Sequence, residues 1–155
     1  MYIDNRGVVR FGNNLTINSA YWANPIGGNM LTFLQIRGVV LIIGNNVGIS
    51  YCAITCSKSI WIGDNVLIGS GCKIYDTDFH PIDSRYGDTM DNSRSGSEKI
   101  VLEDGCFVGA HSIILKGVTI GKNAVIGAGS VVAKDVPAGE IWAGNPVKYI
   151  RTISD

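Results

Sequence analysis

Aliphatic residues recur at every sixth position through residues 102–137, which read LEDGCF, VGAHSI, ILKGVT, IGKNAV, IGAGSV and VAKDVP. Leu102, Val108, Ile114, Ile120, Ile126 and Val132 open these hexads. Their fifth places hold small or β-branched residues: Cys106, Ser112, Val118, Ala124, Ser130 and Val136. A helix has no use for this period, since six steps turn about 240° and scatter the openers around its axis. A strand does, because six is even and every opener returns to the same face. One continuous strand of this length is excluded by the Gly or Lys-Asn that punctuates the run. Short strands joined by tight corners, coiling with the openers inside, satisfy both facts. Repetition of this kind predicts an all-β solenoid.

The same register is visible elsewhere. Phe11 and Ile17 open FGNNLT and INSAYW, with Leu15 at a fifth place. Residues 23–30 break it with Pro25 and Gly27-Gly28 and read as a loop. Apolar residues resume at Leu31, and the period is clear from Ile43 (IGNNVG) and Ile49 (ISYCAI). TCSKSI follows, with one extra residue before Ile62, then IGDNVL, IGSGCK and Ile74. Three hexads to a turn would give on the order of five turns. Residues 76–99 interrupt the repeat with a polar stretch carrying nine charged residues and the pair His80-Pro81. A long irregular loop inside a compact repeat usually has a function. Residues 138–155 end the pattern and supply the cap that a terminal repeat needs. The reading is one domain over residues 1–155.

Composition narrows the function classes. Lys and Arg number 13 and so do Asp and Glu, which leaves no electrostatic footprint for nucleic acid or an anionic membrane. Four cysteines are too few for a disulfide scaffold; Cys72 and Cys106 sit at buried fifth places. The C-x3-C of Cys52 and Cys56 lacks a second pair with metal spacing, so no metal site is expected. MYIDNRGVVR contains no apolar block, so neither a signal peptide nor a membrane span is expected and a reduced, cytoplasmic protein is.

Histidine occurs twice, as His80 and His111. His80 lies in DTDFHPID, on the long excursion from the coil. Asp76, Asp78 and Asp83 are close enough in sequence to bond one ring nitrogen and leave the other to accept a proton. An unperturbed imidazole titrates near ~6.5, which suits a general base. His111, in GAHS, is read as a coil position beside a groove. Tyr51, Arg85, Trp22, Tyr75 and Tyr86 are candidates for lining an acceptor site, since sugars are held by aromatic faces and charged hydrogen-bonding groups.

The hexads, the DTDFHP loop and the tail IGAGSVVAKDVPAGEIWAGNPVKYIR together resemble the hexapeptide-repeat acyltransferases. Within these the similarity is to the sugar O-acetyltransferases of the maltose, galactoside and surface-polysaccharide types. It covers residues 43–153; the first forty residues match less clearly. The resemblance implies a left-handed parallel β-helix of three-sided section, assembled as a homotrimer with active sites between subunits. It implies acetyl-CoA as donor, a sugar or glycan hydroxyl as acceptor, and His80 as general base. The acceptor-binding Asn and Asp of galactoside-type relatives have no counterparts around Tyr51 to Lys58, so Asp78, Tyr51 and Arg85 are assigned toward the acceptor from their residue types and places in this chain. Phe107 stands where relatives often have Trp beside the cofactor arm. Ala110 and Ala128 match positions whose backbone approaches pantetheine. Some relatives have Ser in place of Ala110, which removes a possible donor to the thioester oxygen. Ala133 and Lys134 match a pair near the nucleotide, and Lys148 and Arg151 match basic residues near the phosphates.

Two other readings stay open. One is N-acetylation of a nucleotide-linked amino sugar or O-acetylation of an antibiotic, which use the same base and groove. The other is a non-catalytic β-helix scaffold. A zinc carbonic anhydrase on the same helix needs three histidine ligands in such a site, and the chain has two histidines.

Overall fold

The computed structural model describes residues 1–20, 22–24, 26, 30–81 and 92–153. Its strands, numbered in chain order, lie on three faces of a prism. The first face stacks β1 (Tyr2–Asn5), β4 (Phe33–Ile36), β7 (Ala53–Cys56), β10 (Lys73–Tyr75), β13 (Ile113–Ile114) and β16 (Val131–Val132). The second stacks β2 (Val8–Phe11), β5 (Val40–Ile43), β8 (Ser59–Ile62), β11 (Ile100–Leu102) and β14 (Thr119–Ile120). The third stacks β3 (Thr16–Asn18), β6 (Gly48–Ser50), β9 (Leu67–Ile68), β12 (Phe107–Val108), β15 (Val125–Ile126) and β17 (Glu140–Ala143), with β18 (Lys148–Thr152) at its edge. Neighbours on each face pair in parallel, except that β18 folds back antiparallel on β17. Each three strands complete one turn of a left-handed parallel β-helix.

The hexad openers are the core. Leu34, Ile54, Ile74, Ile114 and Val132 pair in register from turn to turn and are wholly buried. Ile49, Ile68, Val108 and Ile126 form a second such file. Burying one aliphatic side chain of this size contributes ~1.5–3 kcal/mol, which the short strands need because each has few ladder bonds of its own. The fifth places are buried too, and there the core accepts hydroxyls only with partners. Ser112 Oγ and Ser130 Oγ both donate to the Gly127 carbonyl, at 3.1 and 2.6 Å.

Corners are made at the fourth place of the hexad. Asn14, Asn46, Asn65 and Asn123 adopt φ of 55 to 58° there, and Gly105 adopts 71°. Asn tolerates this left-handed region better than other side chains. Its amides also stack: Asn14 Nδ2 donates to Asn46 Oδ1 at 3.0 Å, and Asn46 Nδ2 to Asn65 Oδ1 at 3.1 Å. A turn of pure hexads separates stacked residues by 18 positions, as for Ser112 and Ser130. Insertions stretch two turns without shifting their register. The separation is 32 between Asn18 and Ser50, and 40 between Asp64 and Asp104.

The longer insertion leaves β10 and rejoins β11 at one corner. Asp76, wholly buried, closes its base. Its carboxylate accepts the Ser57 and Lys58 backbone N–H groups of the preceding turn at 2.6 and 2.8 Å, and its carbonyl accepts Glu98 N–H at 2.9 Å. At the far end of the coil the β17–β18 hairpin buries Val147 and lays Trp142 against the last turn. At the near end Ile3 is 41% exposed, since no turn covers it. Among the described residues no helix is long and apolar enough to cross a membrane.

Asp76 contributes two charge-assisted bonds, each worth ~1.5–3 kcal/mol. Asp76→Ala is therefore expected to lower the unfolding free energy by about 3 kcal/mol or more, and Asp76→Asn by less, in urea titrations. Equal stability of the Ala variant would show that the corner holds without the carboxylate.

Candidate active site

Beyond Asp76 the insertion begins as a ribbon. Thr77 bridges Ser97 antiparallel, and Asp78 N–H donates to the Gly96 carbonyl at 2.9 Å. The Asp78 carboxylate meets Lys116, one turn further along the same corner, with Nζ–Oδ2 at 2.5 Å. Gly96 makes room for that pair, since a Cβ there would stand 2.7 Å from Lys116 Nζ and 2.8 Å from Asp78 Oδ2. The hydrogen bond from Lys116 to Asp78 holds the ammonium above the usual lysine range. The chain then turns tightly at Phe79, whose φ is 63°. His80 N–H donates to the Asp78 carbonyl at 2.7 Å across this turn. Such a γ-turn is uncommon for a side-chain-bearing residue and stores strain. It is supported by Phe79 N–H on Thr77 Oγ1 at 3.2 Å and by the Phe79 ring 5.4 Å from that of Tyr75.

His80 is exposed at the tip of this support. Its Nδ1 lies 2.8 Å from Asn92 Oδ1, at the start of the single helical turn Asn92–Arg94. With Asn92 presenting its amide oxygen, the tautomer protonated at Nδ1 completes this bond and leaves Nε2 as the ring's proton acceptor. Of the three carboxylates expected to hold the ring, Asp76 and Asp78 do not do so. Asp76 is occupied by the backbone of the turn below and Asp78 by Lys116, while Asp83 lies outside the described residues.

The other expected positions divide among the faces. Asp78 and Ala133 line one pocket of about 240 Å³ with Tyr75, Thr77, Leu115 and Lys116. Phe107, 42% exposed, points outward from the third face between Leu67 and Val125. Ala110 and Ala128 stack at the corner between the third and first faces. Gly69 and Gly109 beside them are obligatory, because a Cβ at either would stand 2.6 or 2.5 Å from the Ala110 or Ala128 nitrogen. Lys134 is exposed, with its ammonium 4.9 Å from the centre of the Trp142 ring. Lys148 and Arg151 are exposed on β18. Tyr51, expected toward the acceptor, is wholly buried and its hydroxyl donates to the Ala20 carbonyl, so it lines no surface. Arg85 and Tyr86 lie outside the described residues. His111 occupies a corner with φ of 60°, its ring laid over Gly71. Asn92 and Lys116 were not singled out from sequence. Lys116 sits in a hexad like any other corner residue, and Asn92 lies in a stretch without periodicity.

Cys56 and Cys106 are poorly suited to nucleophilic work. All four cysteines are unpaired and buried. Burial pushes Cys106 up to about 12, and burial with the nearby Asp76 charge pushes Cys56 up to about 12.

The family model for the hexapeptide repeat of succinyl-transferase matches residues 59–74 and 99–134. Galactoside O-acetyltransferase of Escherichia coli (strain K12) is 40% identical over 97 residues, covering 63% of this chain and 46% of that protein. The 2,3,4,5-tetrahydropyridine-2,6-dicarboxylate N-acetyltransferase of Clostridium perfringens (strain SM101 / Type A) is 49% identical over 55 residues, 36% of this chain and 23% of its own length. The chain thus spans less than half of either relative. A crystal structure of a hexapeptide-repeat acetyltransferase from Vibrio cholerae O1 biovar eltor, complexed with acetyl-coenzyme A, superposes with a TM-score of 0.60 at 26% identity, covering 99% of this chain and 71% of that one. The chain is thus similar, over its hexapeptide coil, to acetyltransferases built on hexapeptide repeats.

Two outcomes follow for the loop and the thiols. Lys116→Met should broaden or shift the His80 ring resonances while moving the melting temperature little, since partly exposed pairs contribute little to stability. Because the folded lysine is raised, the wild-type pair holds through neutral pH and past the ordinary lysine value of ~10.4, and is lost only in stronger alkali. A disulfide thiol reagent at pH 8 should leave native Cys56 and Cys106 unlabelled and label them after unfolding. Rapid native labelling of Cys106 would reinstate it as a nucleophile.

Proposed function

We propose that this chain transfers an acetyl group from acetyl-CoA to a hydroxyl of a sugar or glycan precursor, with His80 as general base and a trimer as the working unit. The observation that carries the proposal is the support of His80: an exposed ring with one nitrogen bonded to Asn92, on a turn tied to Asp78. That arrangement suits proton transfer, because no described residue bonds the second ring nitrogen and the Asn92 bond orients the ring. The galactoside O-acetyltransferase relative supports the hydroxyl acceptor, and the neighbour crystallised with acetyl-coenzyme A supports the donor.

The residues present fit such a donor. Glycines at positions 69 and 109 leave the Ala110 and Ala128 backbone accessible along one edge. Lys134, Lys148 and Arg151 are exposed near the end of the coil and make no salt bridge to a described carboxylate. Cations so placed favour phosphates. The donor supplies a carbonyl activated as a thioester. His80 Nε2 takes the proton of the acceptor hydroxyl as its oxygen attacks that carbon, and returns the proton to the departing sulfur. No acyl-cysteine is involved, in keeping with the burial of all four thiols.

Transfer to an amine is the second reading, favoured by the N-acetyltransferase relative. The product distinguishes them, since an ester is lost in mild alkali and an amide survives.

His80→Ala is expected to lower kcat by ~10²–10⁴-fold with the KM for acetyl-CoA little changed. Calorimetry should give about one acetyl-CoA site per subunit, weakened by Lys134→Ala. A folded protein that binds no acetyl-CoA would end the transferase reading and leave the scaffold.

A further inference from the structure

The balanced net charge conceals an uneven distribution. Each turn of the coil places a cation at the corner between the first and second faces: Arg6, Arg37, Lys58, Lys99, Lys116 and Lys134. The corner between the second and third faces stacks amides instead, and its Asp64 accepts the Asn45 backbone N–H at 2.7 Å. Polar side chains there hold the coil together. Most cations of the basic corner also have partners. Arg6 Nε lies 3.8 Å from Asp4, and Lys116 is paired with Asp78. Lys99 Nζ stands 3.8 Å from the centre of the Trp61 ring, and Lys134 faces Trp142. Arg37 and Lys58 are the exceptions. Both are exposed, and no carboxylate, ring or hydrogen-bond acceptor among the described residues meets either side chain.

The two unpartnered cations occupy successive turns. Arg37 N–H donates to the Cys56 carbonyl at 2.8 Å, and Val39 N–H to the Lys58 carbonyl at 3.1 Å. The backbones touch there, since a Cβ on Gly38 would collide with the Ser57 carbonyl. Like charges held at a backbone spacing of ~4.8 Å repel, so the coil itself gains nothing from the pair. Its place is distinctive. Lys58 N–H donates to Asp76 Oδ2 at 2.8 Å, which sets the pair directly beneath the insertion that bears His80. Lys134 and the other cations suited to the donor lie on the opposite, C-terminal side of that insertion. A forked guanidinium and a mobile ammonium on adjacent turns match the oxygens of a phosphate, to which charge-assisted bonds are strong.

We infer that Arg37 and Lys58 form an anion subsite, and that the acceptor is held there by a phosphate, beneath His80 of the same subunit. The inference rests on the transferase reading above and specifies its acceptor class, a phosphate-bearing sugar. The phosphate belongs to a sugar phosphate or to the diphosphate of a nucleotide-linked sugar, since both offer the same oxygens to the pair.

Binding, not turnover, tests it. The full chain is titrated calorimetrically with the 1-phosphates and the UDP derivatives of glucose and galactose, and with the two methyl glycosides. The titrations are repeated in saturating coenzyme A, which carries no acyl group to transfer. Wild type is compared with Arg37→Gln, Lys58→Gln and Arg10→Gln, each checked for the β spectrum by circular dichroism. Arg10 is an exposed cation on β2, away from the corner, and serves as the control. At least one phosphorylated sugar should bind, and Arg37→Gln and Lys58→Gln should each weaken it about tenfold. Arg10→Gln should weaken it less than about twofold, and acetyl-CoA binding should be unchanged in all three variants. Whether the 1-phosphates or the UDP derivatives bind more tightly identifies the source of the phosphate. The inference is overturned if no phosphorylated sugar binds at millimolar concentration, or if a methyl glycoside binds as tightly. It is also overturned if Arg10→Gln weakens binding as much as the corner variants do, or if coenzyme A displaces the phosphorylated sugars. Acetyl-CoA binding without any phosphorylated sugar removes the subsite and leaves the transferase. Sugar phosphate binding sensitive to Arg37 and Lys58, without acetyl-CoA binding, keeps the subsite and removes the transferase.

Discussion

Everything in this fold depends on register between turns. Each inward side chain rests on its counterpart one turn below, and a slip of one residue would send a whole file of openers to solvent. Insertions are consequently confined to corners and must return to the position they left. The first inserted segment adds its residues between the third and first faces, the second between the first and second. Both leave the pairing of the strands above and below unchanged. Buried Asp76 shows how such a return is secured: one carboxylate joins the turn below while its main chain holds the returning strand.

The same constraint makes an irregular loop usable. A histidine on an unsupported excursion would sample many orientations, whereas His80 is four residues from a fully buried anchor and two from an ion pair with the next turn. The strained turn at Phe79 is stabilised by contacts on both sides, and the imidazole is thereby delivered at a defined distance from the coil. Regular parts of the chain supply rigidity and irregular parts supply chemistry.

Much of the coil was legible because its signal is periodic and redundant. The openers and fifth places predicted from 102–137 are the buried files, and Asn and Gly punctuation marks the left-handed corners. The three-sided section and its hand came from resemblance, since a period of six fixes inward and outward but not how many strands close a turn. Site contacts were less legible. Three aspartates near His80 in sequence suggested a carboxylate partner, but spatial demand elsewhere claimed Asp76 and Asp78, and the amide of Asn92 took the ring. Tyr51 failed as a surface residue for a related reason: its left-handed corner turns the ring inward under Ala20. The first turn, least similar to the family, nevertheless pairs on all three faces, because parallel pairing requires only a compatible neighbour.

The eighteen-residue separation of stacked hexads has a consequence for how such molecules diversify. A duplication or loss of that many residues restores every corner and every file, so the coil can lengthen or shorten as if cut from a graduated ruler. A surface channel that follows its axis would change length by one graduation at a time, ~4.8 Å each, while the loop that bears the histidine stayed on the same corner.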